Sequence, residues 1–495
     1  MSLVAGMDCS TSATKVELRV ADDGRLLGVG RAPHPVTAPP RSEQDPAEWL
    51  QAVAEALATA CQTAGVRPAA IRAVSVAAQQ HGLVGVAADG AVVRPAKLWN
   101  DTESADDARR LVLRLGVEGW ARAVGSVPTA AFTISKLAWL YNHEAVHFDR
   151  IAKVLLPHDW LTWKLSGEMV TDRGDASGTG YYSATKGQWR IDLLALIDSA
   201  RDWAQALPAV LGPSQAAGRT GTATSKSLGL AADCLVGPGT GDNMASALGL
   251  GLTPGDVAVS VGTSGTVFAV SEGGTADPTG TVAGFADATG RFLPLVCTLN
   301  ATKVTDAMQR WLGVDRDHFE TLVAGAPAGS QGVVFIPYLD GERTPNVPNA
   351  RGALSGLRPS TTREQLARSA VEGVVCGLLD GLDALQALHV RCDGRLVITG
   401  GGARAHSFCQ VLADLAGRSV EVSRAPEAVA RGACIQAAAV LSGQPTAEVA
   451  RKWREAGMVL EPDQRVDREV ARAAYARARE ALLGWDGPAT GLPRP

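Results

Sequence analysis

Apolar and polar positions alternate with two different periods in the first part of the chain. "SLVAGMD" is a short apolar run, "TKVELRVAD" alternates with the two-residue period of a strand, and "LLGVGRA" follows a turn at Gly24. This succession predicts consecutive strands joined by tight turns. Asp45 is then predicted as the N-cap of a helix, with Pro46 at its first position and Glu48 completing a capping box. The apolar residues that follow recur at helical spacing: Trp49, Leu50, Val53 and Leu57.

Later segments carry longer patterns. "IRAVSVAAQQHG" is a β-branched run that ends in polar residues and glycine, and residues from about 101 to 165 are rich in helical patterns. "VAVSVGTSGTVFAV" has two apolar runs joined by glycines and hydroxyl residues, which predicts a hairpin. "REQLARSAVEGVVCGLLDGLDALQAL" predicts a long helix over residues 363–388, and "RLVITGGGARA" predicts a buried strand. The final "GWDGPATGLPRP" predicts a loose tail.

The two halves of the chain share one organisation. Each begins with a strand that leads into a loop of Gly, Ser, Thr and Asp and continues as a mixed α/β pattern, the second starting near "CLVGPGTGDNMASALGLG". This parallel predicts two similar α/β domains with a cleft between them, where ligands commonly bind. We place the domains at residues 1–245 and 246–450, followed by a C-terminal helix and the loose tail over residues 451–495.

Composition narrows the function classes. The 495 residues exceed what one hydrophobic core supports, and 46% apolar with 20% charged residues is typical of a globular protein. The formal net charge of −4 offers no basic field, which argues against nucleic acid and membrane surfaces as partners. Eight cysteines without a C-x-x-C pair lie mostly in apolar runs, which predicts buried thiols in a reducing compartment. With neither a leader pattern nor a spanning run, the predicted location is the cytoplasm.

"GMDCSTSATK" is the first stretch that carries chemistry. Asp8 ends an apolar strand, and Ser10, Thr11, Ser12 and Lys15 follow it. A carboxylate beside hydroxyl donors suits Mg²⁺ and phosphate, because the metal takes oxygen ligands and the donors bind phosphate oxygens. The alternative is a hairpin turn in which Asp8 binds its own backbone.

Two glycine-rich loops in the second half are candidates of the same kind. Gly262 to Thr266 form the tip of the predicted hairpin, and "ITGGGARAHSF" runs from a strand through three glycines into a helix. Glycines let the backbone approach a ligand, and a helix N-terminus favours an anion. Ordinary turn chemistry and a tight strand-to-helix crossing are the alternatives. Neither stretch is a G-x-G-x-x-G or a P-loop sequence, which disfavours a dinucleotide fold and a Walker-type kinase.

"GPGTGDN" places Asp242 in a glycine-rich loop between an apolar strand and a helix. A carboxylate there can accept a proton from a hydroxyl nucleophile. With an ordinary pKa of about 3.9 it is a weak base, which phosphoryl transfer tolerates because its transition state is loose. Asp242 is also a candidate N-cap for a helix that begins near Asn243.

"QQHG" (79–82) and "LWND" (98–101) each end a strand-like run with donors, acceptors or an aromatic face. Such a set fits a small polyhydroxylated ligand, because hydroxyl groups need hydrogen bonds and C–H groups need an apolar surface. For His81 alone, a structural histidine is the competing interpretation.

Taken in order, these stretches resemble the FGGY carbohydrate kinases. The resemblance runs from Met7 to about Gly432, and "QQHG" with "LWND" is most similar to the branch that acts on D-xylulose. The sequences that carry it are "DCSTSATK", "QQHG", "LWND", "TISKLAWL", "LLPHDWLTWKLSG", "GTGDN", "SVGTSGT", "PYLDGERTP", "GALSGLRPSTTREQLARSAVEG" and "GGGARA".

The resemblance implies two actin-like, ribonuclease-H-like α/β domains that close over a central cleft, with the sugar mainly on the first and ATP mainly on the second. It implies ATP-dependent phosphorylation of D-xylulose with Mg²⁺, Asp242 as the catalytic base and Asp8 beside the metal. The implied sugar-binding residues are Gln80, His81, Gly82, Trp99, Asn100, Asp101 and Asn243. The implied ATP-binding residues are Ser10, Thr11, Ser12, Lys15, Gly262, Thr263, Ser264, Gly401, Gly402 and Ala403.

This chain departs from the family pattern in places. Ser10 and Ala13 replace glycines of the first loop, Gln80 replaces a methionine, and Glu103 replaces an arginine, which removes a cation near the sugar site. A family kinase for another ketose or polyol therefore remains an alternative, as does a non-catalytic actin-like ATP-binding switch. The expected partners are small molecules, and a homodimer is left open.

Overall fold

The computed structural model describes residues 2–425 and 427–484. The predicted tail lies outside the described residues from position 485 onward.

The described strands, in chain order, are β1 Leu3–Cys9, β2 Ala13–Val20, β3 Leu26–Pro33, β4 Glu43–Gln44, β5 Ile71–Ala78, β6 Val84–Val86, β7 Ala96–Lys97, β8 Lys153–Leu155, β9 Val170–Asp172, β10 Tyr182–Ser183, β11 Gln188–Trp189, β12 Ala209–Leu211, β13 Gly218–Arg219, β14 Leu235–Val236, β15 Thr240–Gly241, β16 Val257–Val261, β17 Gly265–Ala269, β18 Ala283–Ala286, β19 Phe292–Thr298, β20 Val334–Ile336, β21 Ala353–Ser355, β22 Leu396–Thr399, β23 Val420–Val422 and β24 Met458–Leu460.

The described α-helices are α1 Pro46–Ala64, α2 Ala105–Leu115, α3 Val117–Val124, α4 Thr133–His143, α5 Ala145–Arg150, α6 Pro157–Ser166, α7 Arg173–Ala176, α8 Ile191–Leu194, α9 Trp203–Ala206, α10 Ala223–Ser227, α11 Asp242–Gly249, α12 Thr302–Leu312, α13 Arg316–Gly325, α14 Arg363–Ala387, α15 His406–Ala416, α16 Ala428–Ser442, α17 Thr446–Lys452 and α18 Arg468–Leu483.

The chain forms two compact units. Within the described residues, the first unit comprises 2–254, 270–294, 425 and 427–455. The second comprises 255–269, 295–424 and 456–484. Each unit is therefore assembled from separate segments, and α16 belongs to the first. The contiguous domain limits derived from the sequence stay a prediction.

Both units carry the same arrangement of strands. In the first, β1, β2 and β3 form an antiparallel meander, while β5 lies parallel to β1 and β14 parallel to β5. In the second, β16 and β17 are antiparallel, residues 295–298 of β19 pair with β17, and β22 and β23 follow in parallel. The strand order 3-2-1-4-5 is thus repeated, and the predicted two-domain α/β class is confirmed.

Helix α1 begins where the sequence pattern predicts. The Asp45 side chain accepts the Ala47 N–H at 2.9 Å, which confirms the predicted N-cap, and the helix ends at Gly65 with a left-handed φ of +66°. The predicted capping box is wrong, because Asp45 binds the second helical N–H and not that of Glu48. The buried face of α1 includes Trp49, whose ring meets that of Trp160 edge to face at 6.4 Å.

Glycines bring α16 into backbone contact with its neighbours. A Cβ on Gly6 of β1 would lie 2.1 Å from the Ala430 carbonyl oxygen, and one on Gly432 would lie 1.9 Å from that of Ala245 in α11. No larger residue fits at these crossings without a shift of the backbone. The close contact fixes the position of α11, which begins at Asp242.

The long helix and the hairpin were also predicted correctly, as α14 and as β16 with β17. All eight cysteines are buried thiols. Among residues 2–425 and 427–484, no helix combines the length and apolar character needed to cross a bilayer.

Candidate active site

In the first unit, the predicted site residues follow the carboxyl ends of parallel strands. Strand β5 lies parallel to β1 and to β15, with Ala78 at its end beside Cys9 and Gly241. Because the ends of parallel strands meet at one edge of a sheet, this topology collects the residues after Cys9, Ala78 and Gly241 at one place.

Asp8 and Lys15 face each other across the β1–β2 pair. The Lys15 Nζ lies 3.4 Å from the Asp8 Oδ2 and 2.7 Å from the Glu427 Oε2. The Ser10 hydroxyl donates to the Asp8 Oδ1 at 2.5 Å, so the donor gained by replacing glycine is directed at this carboxylate. Burial raises the pKa of Asp8, and Lys15 and Ser10 only partly offset it. The Asp8 Oδ2 is a buried oxygen without a hydrogen-bond partner, which suits a cation ligand.

Thr11 joins the first loop to the two sugar-side stretches. Its hydroxyl donates to the Gln79 Oε1 at 3.1 Å and accepts the Trp99 Nε1–H at 2.9 Å. The next residue, Ser12, is exposed. The tip of the β1–β2 hairpin, which carries Thr11, is therefore in direct contact with both "QQHG" and "LWND".

Asp242 is the first residue of α11, with Gly241 as the N-cap, so its predicted alternative role as an N-cap is wrong. Its Oδ1 accepts the backbone N–H of Asn243 at 2.8 Å and the Asn243 Nδ2–H at 2.9 Å. The same amide donates to the Gln80 Oε1 at 2.9 Å. Asn243 thus fixes one carboxylate oxygen of Asp242 and links it to Gln80.

The electrostatics of Asp242 differ from those of an ordinary carboxylate. Burial, and after it the negative charges of Asp8 and Asp175, raise the pKa of Asp242 to about 7, although the two Asn243 hydrogen bonds act in the opposite direction. A carboxylate with this pKa is a far better proton acceptor near neutral pH than the sequence alone suggested.

His81 is held in an unusual backbone conformation. Its φ is +66°, in the left-handed region, and its carbonyl oxygen accepts the Thr133 hydroxyl at 3.1 Å. The Nδ1 lies 2.6 Å from the Gly178 carbonyl oxygen, and the ring stacks on Phe132 at 5.0 Å. Because a carbonyl only accepts, Nδ1 carries the proton of this hydrogen bond.

The next two predicted sugar-binding residues are Gly82 and Asn100. A Cβ on Gly82 would lie 2.5 Å from the Pro157 Cγ, so this glycine serves close packing. The Oδ1 of Asn100 is buried and without a hydrogen-bond partner in the protein, which makes it a candidate acceptor for a ligand hydroxyl.

The Asp101 carboxylate is bound by two backbone N–H groups and by the Lys97 ammonium. Its carboxylate accepts the N–H of Ser42 at 2.9 Å and that of Glu103 at 3.2 Å. The Lys97 Nζ lies 3.1 Å from the Asp101 Oδ2, 3.2 Å from the Glu43 Oε1 and 2.5 Å from the Glu103 Oε2.

The three carboxylates of Glu43, Asp101 and Glu103 are close enough together to hold a metal ion, but the Lys97 ammonium lies among them. Lys97 is fully buried, and Glu103 is one of the three carboxylates that surround its ammonium. The sequence missed Lys97 because a lysine two positions before "WND" looks like any surface lysine.

A second buried group was missed as well. His158, Asp159, Asp172 and Asp175 are all nearly inaccessible, and none was singled out from the sequence. His158 and Asp159 stood only within "LLPHDWLTWKLSG", one of the stretches that carry the resemblance, and "TDRGD" carried no prediction. Their charges converge because α6, β9 and α7 pack around the loop that leads to Asp242.

In the second unit, the two predicted nucleotide loops are neighbours. Strands β16 and β22 run parallel, so the loops that follow them, at Gly262–Ser264 and Gly400–Gly402, lie at one edge of the sheet. The Gly262 carbonyl oxygen accepts the Thr302 N–H at 2.9 Å, which places the start of α12 beside the tip of the β16–β17 hairpin. Gly400 has a φ of +89°, and a Cβ there would lie 2.7 Å from the Val261 carbonyl oxygen.

A cavity of about 140 Å³ opens beside the second loop. Its lining mixes two aromatic rings with charged and amide side chains, and Gly401 and Gly402 form part of its wall. The lining residues are Thr302, Thr305, Asp306, Gln309, Arg316, Phe319, Glu320, Val371, Gly401, Gly402, Arg404, Ala405 and Phe408. Apolar faces with a few polar groups suit a heteroaromatic ring. Ala403 lies in the same turn, with its N–H directed at the Gly400 carbonyl oxygen at 3.2 Å.

Comparison with known proteins gives a consistent result. Residues 3–249 match the N-terminal domain, and residues 257–441 the C-terminal domain, of the FGGY family of carbohydrate kinases. The chain is 46% identical to a xylulose kinase of Streptomyces coelicolor over 94% of this chain and 93% of that protein. It is 45% identical to one of Streptomyces rubiginosus over 99% and 98%. The crystal structure of a xylulose kinase from Bifidobacterium adolescentis superposes with a TM-score of 0.83 at 37% identity, over 97% of this chain and 99% of that chain.

Proposed function

The chain belongs to the FGGY family of carbohydrate kinases, and we propose that it transfers the γ-phosphoryl group of ATP to the 5-hydroxyl of D-xylulose. The observation that carries this proposal is the likeness to two xylulose kinases over nearly the full length of all three chains. The eight buried thiols fit a reducing compartment such as the cytoplasm.

Asp242 is the proposed general base. Asn243 occupies its Oδ1 with two N–H donors, which leaves Oδ2 to accept the proton of the attacking hydroxyl. The raised pKa of about 7 matches the base to neutral conditions. Phosphoryl transfer has a loose transition state, so orientation of the nucleophile contributes more than early removal of its proton.

The sugar-binding role rests on donors and acceptors at the same sheet edge. Gln80 and Asn243 share a hydrogen bond that orients both amides. The His81 ring and the buried Asn100 Oδ1 are the proposed contacts for sugar hydroxyls. Trp99 offers an apolar face, held by its bond to Thr11. Asp101 supports this loop through Lys97 and Ser42.

For ATP we propose the cavity beside Gly401, Gly402 and Ala403 as the place of the base, and Gly262, Thr263 and Ser264 as phosphate contacts. In the first unit, Ser10, Thr11, Ser12 and Lys15 take the same role. The buried Oδ2 of Asp8, which accepts no hydrogen bond and has the Lys15 ammonium 3.4 Å away, is the proposed Mg²⁺ ligand. When bound, Mg²⁺ neutralises the charge of the phosphates.

The test is ADP release with Mg-ATP and one of six acceptors: D-xylulose, L-ribulose, D-ribulose, glycerol, D-xylitol and gluconate. We expect D-xylulose to give the highest kcat/KM by a wide margin. A different preferred acceptor would overturn the substrate assignment and leave the kinase reaction intact. Absence of turnover with every acceptor would overturn both.

A further inference from the structure

Four ionisable side chains are buried next to the loop that carries Asp242. His158 and Asp175 are fully inaccessible, and Asp159 and Asp172 are 1% and 3% exposed. Burying charged groups costs stability even when they are paired, so such a cluster is weak support for the fold as such. Clusters of this kind concentrate at functional sites. The contacts of this cluster with residues 239–243 show which part of the backbone it holds in place.

Asp172 holds the loop through Thr240. The Thr240 hydroxyl donates to the Asp172 Oδ2 at 2.8 Å, and both residues are buried. The remaining oxygen, Oδ1, accepts the Asp175 N–H at 2.9 Å, which fixes the carboxylate at the start of α7. Thr240 lies two residues before Asp242 in β15, so this bond anchors the backbone from which α11 starts.

His158 supports the same loop one residue earlier. Gly239 has a φ of +78°, and a Cβ there would lie 2.4 Å from the His158 Cδ2 and 2.9 Å from the Val76 carbonyl oxygen. On another side, the Gln436 Nε2–H donates to the Gly239 carbonyl oxygen at 3.0 Å. The backbone of Gly239 is therefore held by an imidazole ring and an amide.

The cluster is held together by His158 itself. Its Nδ1 lies 2.8 Å from the Asp175 Oδ2 and its Nε2 3.0 Å from the Asp159 Oδ1. Burial alone would lower the pKa of His158, but Asp159, Asp175 and Asp172 outweigh it and raise that pKa to about 9. The ring is hydrogen-bonded to Asp175 through Nδ1, while Nε2 makes only a close charge contact with the Asp159 carboxylate. Burial raises the pKa of Asp175, and His158 and then Gln80 only partly offset that rise.

We infer that Asp172 and His158 are positioning residues, which set the place of Asp242 relative to the sugar hydroxyl through Thr240 and Gly239. Neither residue is assigned a contact with the sugar or the nucleotide. The inference rests on the proposed function, in which Asp242 is the base. The inference explains why a buried ionic cluster lies here, where an apolar core would be more stable. A displacement of about 1 Å at a reacting group can cost up to a hundredfold in rate.

The test replaces one hydroxyl. Thr240→Val removes the bond to Asp172 with little change of shape, and Thr240→Ser keeps the hydroxyl. Thr220→Val is the matched control, because the buried Thr220 hydroxyl donates only to the carbonyl oxygens of Ala231 and Cys234. We expect Thr240→Val to lower kcat on D-xylulose by roughly tenfold to a hundredfold with KM for ATP unchanged, and Thr240→Ser to restore it.

Thermal unfolding of all three variants separates positioning from stability. The inference predicts similar Tm losses for Thr240→Val and Thr220→Val but a kcat loss only in the former. Unchanged kcat in Thr240→Val, or equal losses in the Val and Ser variants, would overturn the inference. Inactivity of the unmodified enzyme on D-xylulose would instead overturn the proposed function.

Discussion

At the scale of single residues, Asp242 shows how its surroundings define the chemistry of a carboxylate. Two N–H groups of one asparagine hold its Oδ1, while burial and the charges of Asp8 and Asp175 raise its pKa to about 7. The sequence offered only an aspartate in a glycine loop, with the pKa of a peptide. The difference comes first from burial and then from two carboxylates, distant in sequence, that the fold brings near.

The pH dependence of the reaction follows from this pKa. Asp242 must be ionised to accept a proton, so kcat/KM for D-xylulose at saturating Mg-ATP should fall as pH drops through about 7. In Asp175→Asn, one of the charges that raise the pKa is gone, and the acidic limb should move to lower pH. Because the titration of ATP is common to both enzymes, the difference between the two profiles isolates the protein group. An unshifted limb would contradict this electrostatic account.

Lys97 should be essential for stability. Its fully buried ammonium lies within 3.2 Å of carboxylate oxygens of Glu43, Asp101 and Glu103, and 4.0 Å from the Trp139 ring centroid. Lys97→Met keeps an unbranched apolar side chain, one atom shorter, but leaves three carboxylates facing one another. We expect the free energy of unfolding in urea to fall by about 3–5 kcal/mol, as when one partner of a buried ion pair is removed.

The matched control for Lys97 is an exposed pair. Arg122 and Glu118 are both more than 70% exposed and lie 3.3 Å apart on α3. Arg122→Met should leave the urea midpoint unchanged, because exposed pairs contribute little. Equal effects of the two substitutions would show that Lys97 does not bind its carboxylates tightly.

At the scale of elements, the crossing of α11 and α16 depends on glycine. Gly432→Ala would force its Cβ to within 1.9 Å of the Ala245 carbonyl oxygen. We expect a loss of about 1–3 kcal/mol in unfolding free energy from overpacking, together with a lower kcat, because α11 begins at Asp242. Gly221→Ala is the control, since no atom lies within 4 Å of its Cβ position. Thermal unfolding and steady-state kinetics on both variants test this; a wild-type Tm in Gly432→Ala would contradict it.

The loop at Gly401 allows a separate test of nucleotide binding. A Cβ on Gly401 meets no atom within 4 Å, and the residue lines the cavity beside Phe319 and Phe408. Gly401→Leu should therefore leave Tm unchanged but fill part of that cavity, raising KM for ATP by about tenfold. Gly273→Leu, at an equally open position in the first unit, should change neither quantity. An unaltered KM in Gly401→Leu would place the nucleotide elsewhere.

At the scale of the whole molecule, the sequence was informative where the determinants are local. Alternation, an N-cap and glycine tips sufficed for β1 with β2, the start of α1, the β16–β17 hairpin and the long α14. The parallel between the two halves predicted two similar α/β units, but that prediction did not include their strand order. The capping box failed because the Asp45 side chain accepts the Ala47 N–H, while the Glu48 N–H donates to the Asp45 carbonyl oxygen at 3.0 Å.

The interactions that could not be predicted join residues far apart in sequence. Lys15 binds Glu427 at 2.7 Å, and the Ser75 hydroxyl donates to Gln436 at 2.5 Å. Neither pairing has a local pattern, because α16 reaches the first sheet only after the chain has built most of the second unit. The ionic group around His158 is of the same kind, since its charges come from separate elements.

In the proposed reaction, phosphorylation of D-xylulose depends most directly on Asp242 as the base. The decisive measurement is kcat for D-xylulose 5-phosphate formation by the unmodified enzyme, Asp242→Asn and Asp287→Asn, with the product followed by ³¹P NMR. Asp287 is a buried carboxylate whose pKa is also raised by burial, which makes it the matched control. We predict a loss of roughly a hundredfold to ten-thousandfold for Asp242→Asn alone, with the fold intact by circular dichroism. A folded Asp242→Asn enzyme that forms the product at the unmodified rate would contradict the account.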